Sequence, residues 1–373
     1  MNQTSDILII GGGIIGLSIA IELKFRGADV TVISRNFDEA ATNAAGGMLA
    51  PGAERIPSGV MFDLAWRSLE LYPTFVNKIE SLTGLKTGYW PCGIITPVYQ
   101  LEPGEKNRFQ NSNSQWLDRD AVRQHQPGLS SEVIGGWLFS KDAQVDNRLL
   151  FAALQEAAKL LKVNLIEGIV GEIIEEKDRV KNVKSSVGDL AANFYVLAAG
   201  SWSNRLFSTP VFPRKGEMLS LIVPQKYWEK RKEGEIDWLP LKQVLYGKDG
   251  CYIIPRQDGR IVIGATSEDV GFSSGNTVAG IQSLLGKAVR CYPVLKDFQI
   301  DELWWGFRPA TPDEMPILGR SDRPNLILAT GHYRNGILLA PVTAMLIANL
   351  ISEGHSAPLL EAFDYSRFVQ KMA

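Results

Sequence analysis

Two short stretches of this chain carry residue types spaced for ligand chemistry. The first is Gly11-x-Gly13-x-x-Gly16 in "GGGIIG", placed between the apolar run "DILII" at 6–10 and the amphipathic stretch "IIGLSIAIELKFRG". In that spacing Gly11 makes the turn, Gly13 lets backbone approach a pyrophosphate, and Gly16 lets helix and strand pack closely. The second is "GHYRNG" at 331–336, which sets His332, Tyr333 and Arg334 between two glycines directly ahead of "ILLAPVTAMLIANLI". A helix beginning at Asn335 or Gly336 points unpaired N–H groups back at whatever the loop faces, which suits a partly negative ligand.

The elements that must hold these stretches are readable in turn. Strand, glycine loop, helix and the second strand "DVTVIS" follow one another within the first 35 residues, the order of a dinucleotide-binding βαβ unit. The end of that second strand should carry an acidic residue for the ribose hydroxyls, but Ser34 and Arg35 stand there. A hydroxyl beside a guanidinium also suits a ribose phosphate, so these two residues leave NADP open.

Next comes the small-residue run "ATNAAGGMLAPGAE" at 41–54, which lets backbone press against a flat ligand. Apolar spacing predicts a helix over 61–84 and strands over 88–100, with 101–130 polar and irregular. A helix–strand pair follows, then the apolar strand and small-residue turn "NFYVLAAGSWS" at 193–203. After "PRKGEML" the segments "SLIV", "QVLYG", "CYIIPR" and "RIVIGAT" alternate like a sheet. The βαβ-like pieces lie at the start, middle and end. This order predicts an α/β protein with a nucleotide domain built from 1–60, 141–210 and 300–373, and a substrate domain from 61–140 and 211–299.

Composition narrows the function classes. A chain of 373 residues with 39 Lys+Arg against 41 Asp+Glu has a net charge of -2 and no long run of either sign, which disfavours nucleic acid and anionic membrane as partners. Cys92, Cys251 and Cys291 are scattered and odd in number, which argues for a reducing, cytoplasmic compartment and against a disulfide framework. The start "MNQTSDILIIGGG" runs straight into a strand without a basic region, unlike a cleaved signal. The apolar segment 337–351 is short for a membrane span and contains Pro341, so it reads as a buried helix. With three histidines in the chain, no metal site is expected.

Taken in order, "GGGIIG", "NAAGGMLAP", "VLAAGSWS", "KGE", "YIIPR", "GFRPATPD" and "GHYRNGILLAP" resemble the D-amino acid oxidase family of flavoproteins, and within it the glycine oxidases of thiamine biosynthesis. The resemblance implies a Rossmann-like FAD-binding domain of discontinuous segments plus an antiparallel-sheet substrate domain. It places Ile14 and Ile15 at the FAD pyrophosphate, and Ser34 and Arg35 at the adenosine ribose. Ala41, Thr42, Gly46, Gly47 and Met48 fall along the diphosphate and flavin, Val170 at the adenine, and Ala199, Gly200 and Trp202 near the cofactor. His332, Tyr333, Arg334, Asn335, Gly336, Ile337 and Leu338 fall at the pyrimidine edge of the flavin, where a helix dipole and N–H donors favour the reduced, negatively charged ring.

The same resemblance makes Arg308 the carboxylate-binding arginine, with Tyr252 bonding the same carboxylate and Arg334 nearby. The implied reaction is oxidative deamination of glycine or a similar small amino acid or amine: hydride passes from Cα to flavin N5, oxygen is reduced to hydrogen peroxide, and the imine goes on to thiazole formation or hydrolyses. No protein base is required if the amine binds neutral, so His332 is a cofactor neighbour through its backbone. Gly250, Ser267 and Glu268 stand where the family's glycine oxidases tend to have histidine and methionine, which implies a more polar pocket wall. Two other readings stay open on the same fold: a dehydrogenase that passes electrons to a quinone, and a flavin-binding assembly or regulatory protein without turnover. Association into a homo-oligomer is also left open.

Overall fold

The computed structural model describes residues 4–104, 113–229, 239–354 and 357–369. Two sheets organise it. The first runs through the strands Ile317–Arg320, Leu326–Thr330, Gly188–Leu197, Thr4–Ile10, Val30–Ser34 and Asn164–Glu167, in that spatial order. Its central pairings are parallel. Parallel strands are covered on both faces, which is why Ile7, Leu8, Ile9 and Ile10 form an unbroken apolar run with every member buried.

The helices Ile14–Phe25, Asn147–Leu160 and Gly336–Glu353 supply one cover for this sheet. The first ends where Gly27 takes φ 86, letting Ala28 N–H reach Leu23 O and Gly27 N–H reach Lys24 O. The third is long and apolar enough to cross a membrane, yet 67% of that window is buried inside the protein. Pro341 within it donates no N–H, so the carbonyl of Ile337 loses its helical partner. Tyr72 Oη donates to that carbonyl at 2.8 Å, and Ser68 Oγ donates to Leu338 O at 2.6 Å.

The second sheet orders Gln299–Ala310, Phe212–Ile222, Arg260–Gly264, Tyr252–Pro255, Val244–Tyr246, Ile94–Val98, Gly135–Phe139 and Gln115–Asp118. Its pairs are antiparallel except Val244–Tyr246 against Ile94–Val98. The helix Val278–Cys291 seals one face through Leu284 and Ala288, against Leu219, Ile253 and Ile263. Trp304 Nε1 donates to Ala44 O at 3.2 Å and Arg148 grips Glu302 at 2.7 and 3.0 Å, tying this sheet to the parallel half.

Three sequence expectations change. The stretch 101–130 holds the strand Gln115–Asp118 and the helix Arg119–His125, capped by Asp118 Oδ1 on the N–H groups of Asp120 and Ala121; residues 105–112 of that stretch lie outside the described ones. The helix Val60–Thr83, expected in the substrate part, buries Leu64, Leu69, Tyr72 and Ile79 in the same core as Leu17 and Leu339. The strand Gln299–Ala310, expected almost whole in the nucleotide part, lies at one edge of the antiparallel sheet. Both shifts follow from long-range partners that periodicity does not reveal.

Candidate active site

A cavity of about 1030 Å³ runs between the two sheets, from Ser34 and Val170 past the start of the Ile14–Phe25 helix to Tyr252 and Arg308. Of the residues that the sequence placed at the cofactor or the substrate carboxylate, all line it except Gly16, Asn335 and Leu338. Gly16 sits behind the wall, where a Cβ would collide with the Gly11 carbonyl, so its part is close helix–strand packing. Asn335 precedes the last long helix and accepts from Leu339 N–H, and Leu338 is buried with its carbonyl turned to Ser68.

The cavity's shape fits an extended dinucleotide. The first helix begins at Gly13, which is extended at φ -76 and makes no side-chain cap. Thr42 Oγ1 accepts from Ile14 N–H at 2.9 Å, and the neighbouring N–H groups of the first turn face the cavity with no helical acceptor. The last long helix starts at Gly336, with no cap from the Asn335 side chain, at the opposite end of the same space. Two helix N-termini on one cavity give it a positive potential at two separated points. The loop between them is kept thin by glycine: a Cβ on Gly46 would press into the Tyr252 ring at 2.9 Å.

At the strand end, Arg35 is committed to other groups. It pairs with Glu39 at 2.6 Å and lies over the Trp202 ring at 5.1 Å. A guanidinium paired with a carboxylate and stacked on a ring is less available to a ribose phosphate, which counts against the NADP reading of Ser34 and Arg35. Ser34 Oγ turns to its own loop, donating to Asn36 O at 3.4 Å.

At the other end, Arg308 comes from the Gln299–Ala310 strand and Tyr252 from Tyr252–Pro255. Arg308 Nη1 donates to Thr266 O at 3.0 Å and Lys215 O at 3.4 Å, leaving its other N–H groups for a guest. Lys215 beneath it is buried and ion-paired with the buried Glu217 at 2.9 Å, so this floor is rigid. Tyr252 Oη meets Met218 Sδ at 3.5 Å; burial pushes the phenol up to about 12, and it stays a neutral donor. Arg334 is the most open of the three and bonds Tyr246, a cavity residue that the sequence reading missed.

His332 is buried, with Nε2 at 3.1 Å from Thr343 Oγ1. Burial lowers it to about 3, so the ring is neutral at working pH. Gly250 and Ser267 line the cavity as expected, but Glu268 does not: its carboxylate takes Thr266 Oγ1 at 2.5 Å and reaches Lys215 at 3.5 Å. Glu54, the acidic residue that closes the small-residue run at 41–54, also lines the cavity and was not singled out. Among the described residues no cluster of His, Cys, Asp and Glu is arranged to hold a metal ion.

Comparison with known proteins bears on this geometry. Residues 6–350 match the DAO family profile, described as FAD dependent oxidoreductase. The bifunctional protein ThiO/ThiG of Nostoc sp. is 54% identical over 370 residues, covering 98% of this chain and 55% of its own length. The chain thus spans about half the length of the curated relatives it matches first. The glycine oxidase of Bacillus subtilis is 32% identical over 360 residues and 94% of each chain. The crystal structure of glycine oxidase from Geobacillus kaustophilus superposes with a TM-score of 0.89 at 30% identity, covering 98% of this chain and 99% of that one. Two helix starts, a glycine-thinned loop and an arginine–tyrosine pair in one cavity, together with a profile match over nearly the whole length, lead to one conclusion: the chain belongs to the DAO family of FAD-dependent oxidoreductases.

Proposed function

We propose that the protein oxidises glycine or a similarly small amino acid or amine, with FAD as cofactor and oxygen as acceptor, giving an imine or 2-oxo acid, ammonia and hydrogen peroxide. The observation that carries this reading is the convergence of Arg308 and Tyr252 on the cavity end that also meets the Gly46–Gly47 loop and the last long helix. An α-amino acid presents a flat carboxylate, and a guanidinium pinned on one side offers it a two-pronged receptor. Tyr252 adds a neutral O–H donor, and the glycine-lined wall leaves little room for a side chain.

The parallel-sheet side holds the cofactor in this proposal and the antiparallel sheet orients the substrate. The chemistry FAD supplies when bound is acceptance of a hydride from the substrate Cα and later reoxidation by oxygen. Ile14 and Ile15 at the first helix start would hold the pyrophosphate, with Ile15 N–H free for it because Ile14 N–H already donates to Thr42 Oγ1, while Gly336 and Ile337 would offer N–H groups and the helix dipole to the flavin ring. Arg334 contributes further positive charge there. Glycine oxidase relatives and the ThiO/ThiG proteins support glycine as the first substrate and thiazole formation in thiamine biosynthesis as the destination of the imine.

The test is an anaerobic visible spectrum of the purified protein before and after glycine is added, followed by air. Bleaching of the flavin band by glycine and peroxide on readmission of air are expected. A flavin band untouched by glycine removes the substrate, and bleaching without peroxide removes oxygen as the acceptor.

A further inference from the structure

Glu54 is unexplained by binding of the carboxylate. It follows the Met48–Leu49 strand in a tight turn, where its N–H donates to Ala50 O at 3.0 Å and Arg55 N–H donates to Gly52 O at 3.0 Å. Asp142 fixes the same turn from behind, accepting from Gly52 N–H at 3.2 Å and Ala53 N–H at 2.7 Å. The turn is therefore held independently of Glu54, whose own carboxylate lines the cavity and has no hydrogen bond or ion pair among the described residues. A carboxylate that opens on the cavity without a direct partner is available to a cationic guest.

We infer that Glu54 faces the amine of the substrate and accepts the proton that its ammonium group must lose before oxidation. The inference rests on the proposed function. Departure of a hydride leaves positive charge at Cα, which an amine lone pair can stabilise and an ammonium group cannot. The step is R–NH₃⁺ + Glu54–COO⁻ → R–NH₂ + Glu54–COOH, with no electron moved and the proton retained on Oε. Charges around Glu54 suit both forms. Arg308 and Arg334 favour the carboxylate; Asp142 across the turn opposes a second negative charge, and Tyr246 and Tyr252 stay neutral. Burial is the largest influence and raises Glu54 above its ordinary value, improving its affinity for the proton.

The experiment is anaerobic stopped-flow reduction of the FAD-loaded enzyme by glycine from pH 6 to 10, with wild type, Glu54→Gln and Glu54→Asp. Wild type is expected to give a nearly level limiting rate across neutral pH. Glu54→Gln should be slower by about 100-fold at pH 7. Its rate should climb about tenfold per pH unit as free glycine loses its own proton, and Glu54→Asp should restore much of the level profile. Acetate, which has a carboxylate but no amine, should still perturb the flavin band of Glu54→Gln without loss of affinity, showing a folded site. A wild type that glycine does not reduce overturns the proposed function, and this inference with it. A working wild type with the same pH profile in Glu54→Gln overturns the inference alone.

Discussion

The Arg308 guanidinium lies against the Cα of Gly216 so closely that a methyl group on Gly216 would occupy the space of Nη1. The two residues sit on adjacent antiparallel strands, where Gly216 pairs with Gly306 and Arg308 with Arg214. Gly216→Ala should therefore push the guanidinium off Thr266 O and out of register with a substrate carboxylate. The expected result is a rise of about 10- to 100-fold in KM for glycine, the loss of one or two charge-assisted hydrogen bonds. FAD content should not change, because the cofactor residues lie on other elements. Substrate titration of the flavin band checks this, and an unchanged KM would show that Arg308 is not the carboxylate receptor.

Arg256 ties the loop under the proposed flavin position to the parallel half. It is buried, with Nη2 on Gly46 O at 2.8 Å and Nη1 on Val145 O at 2.9 Å and Gln144 Oε1 at 2.8 Å. Arg256→Met should cost about 1–3 kcal/mol, because it leaves Gly46 O and Val145 O short of a donor while Asp146 keeps only Arg260 as its cation. Burial would raise the Asp146 carboxyl, but Arg256 and Arg260 outweigh it and hold it below its ordinary value. A depressed carboxylate contributes stability above its unfolded pKa and loses it as pH falls through the folded one. The variant should thus unfold at higher pH on acid titration and shed FAD on gel filtration. Wild-type acid stability would sink this account.

The contrast between Gly11 and Gly216 shows how much of the site was legible in the sequence. Gly11, Gly13 and the 331–336 loop act within a few residues of their own position, where spacing is geometry: Gly11, Gly13, His332, Tyr333, Arg334 and Gly336 line the cavity, while Asn335 does not and Gly16 packs behind the wall. Gly216, Arg256 and Glu54 act through partners remote in sequence; the bond from Arg308 to Lys215 O spans 93 residues. A strand's side chains alternate between faces, so one step of register decides whether a residue meets the cavity or its back. Ser267 and Glu268, beyond the end of the Arg260–Gly264 strand, also part company: neighbours in sequence, they lie respectively in the cavity and on Lys215. Strand pairing likewise decided which sheet received Gln299–Ala310.

Asp142 gives a pH dependence that can be isolated. Burial lifts its carboxyl from 3.8 to about 7, against the pull of the Ala53 and Gly52 N–H groups. Because the folded value lies above the unfolded one, this contribution to stability is complete below about pH 4 and is lost as pH rises through about 7. Asn imitates the protonated form at all pH values. The Tm of Asp142→Asn relative to wild type should increase between pH 5 and 8, and a difference that is flat over that range would contradict the assignment.

Tyr72 and Pro341 form a compensating pair beneath the helix that faces the proposed flavin ring. Pro341 denies Ile337 O its helical donor, and Tyr72 Oη replaces that donor at 2.8 Å in a dry core. Tyr72→Phe should therefore cost about 1–3 kcal/mol, the desolvation penalty of a carbonyl left unpaired. In a Pro341→Ala background the residue 341 N–H becomes available to Ile337 O, so the same Tyr72→Phe substitution should cost much less. The cycle is read from urea unfolding of the four proteins. Equal costs of Tyr72→Phe in both backgrounds would mean that ring packing, and not the replaced hydrogen bond, is what Tyr72 contributes.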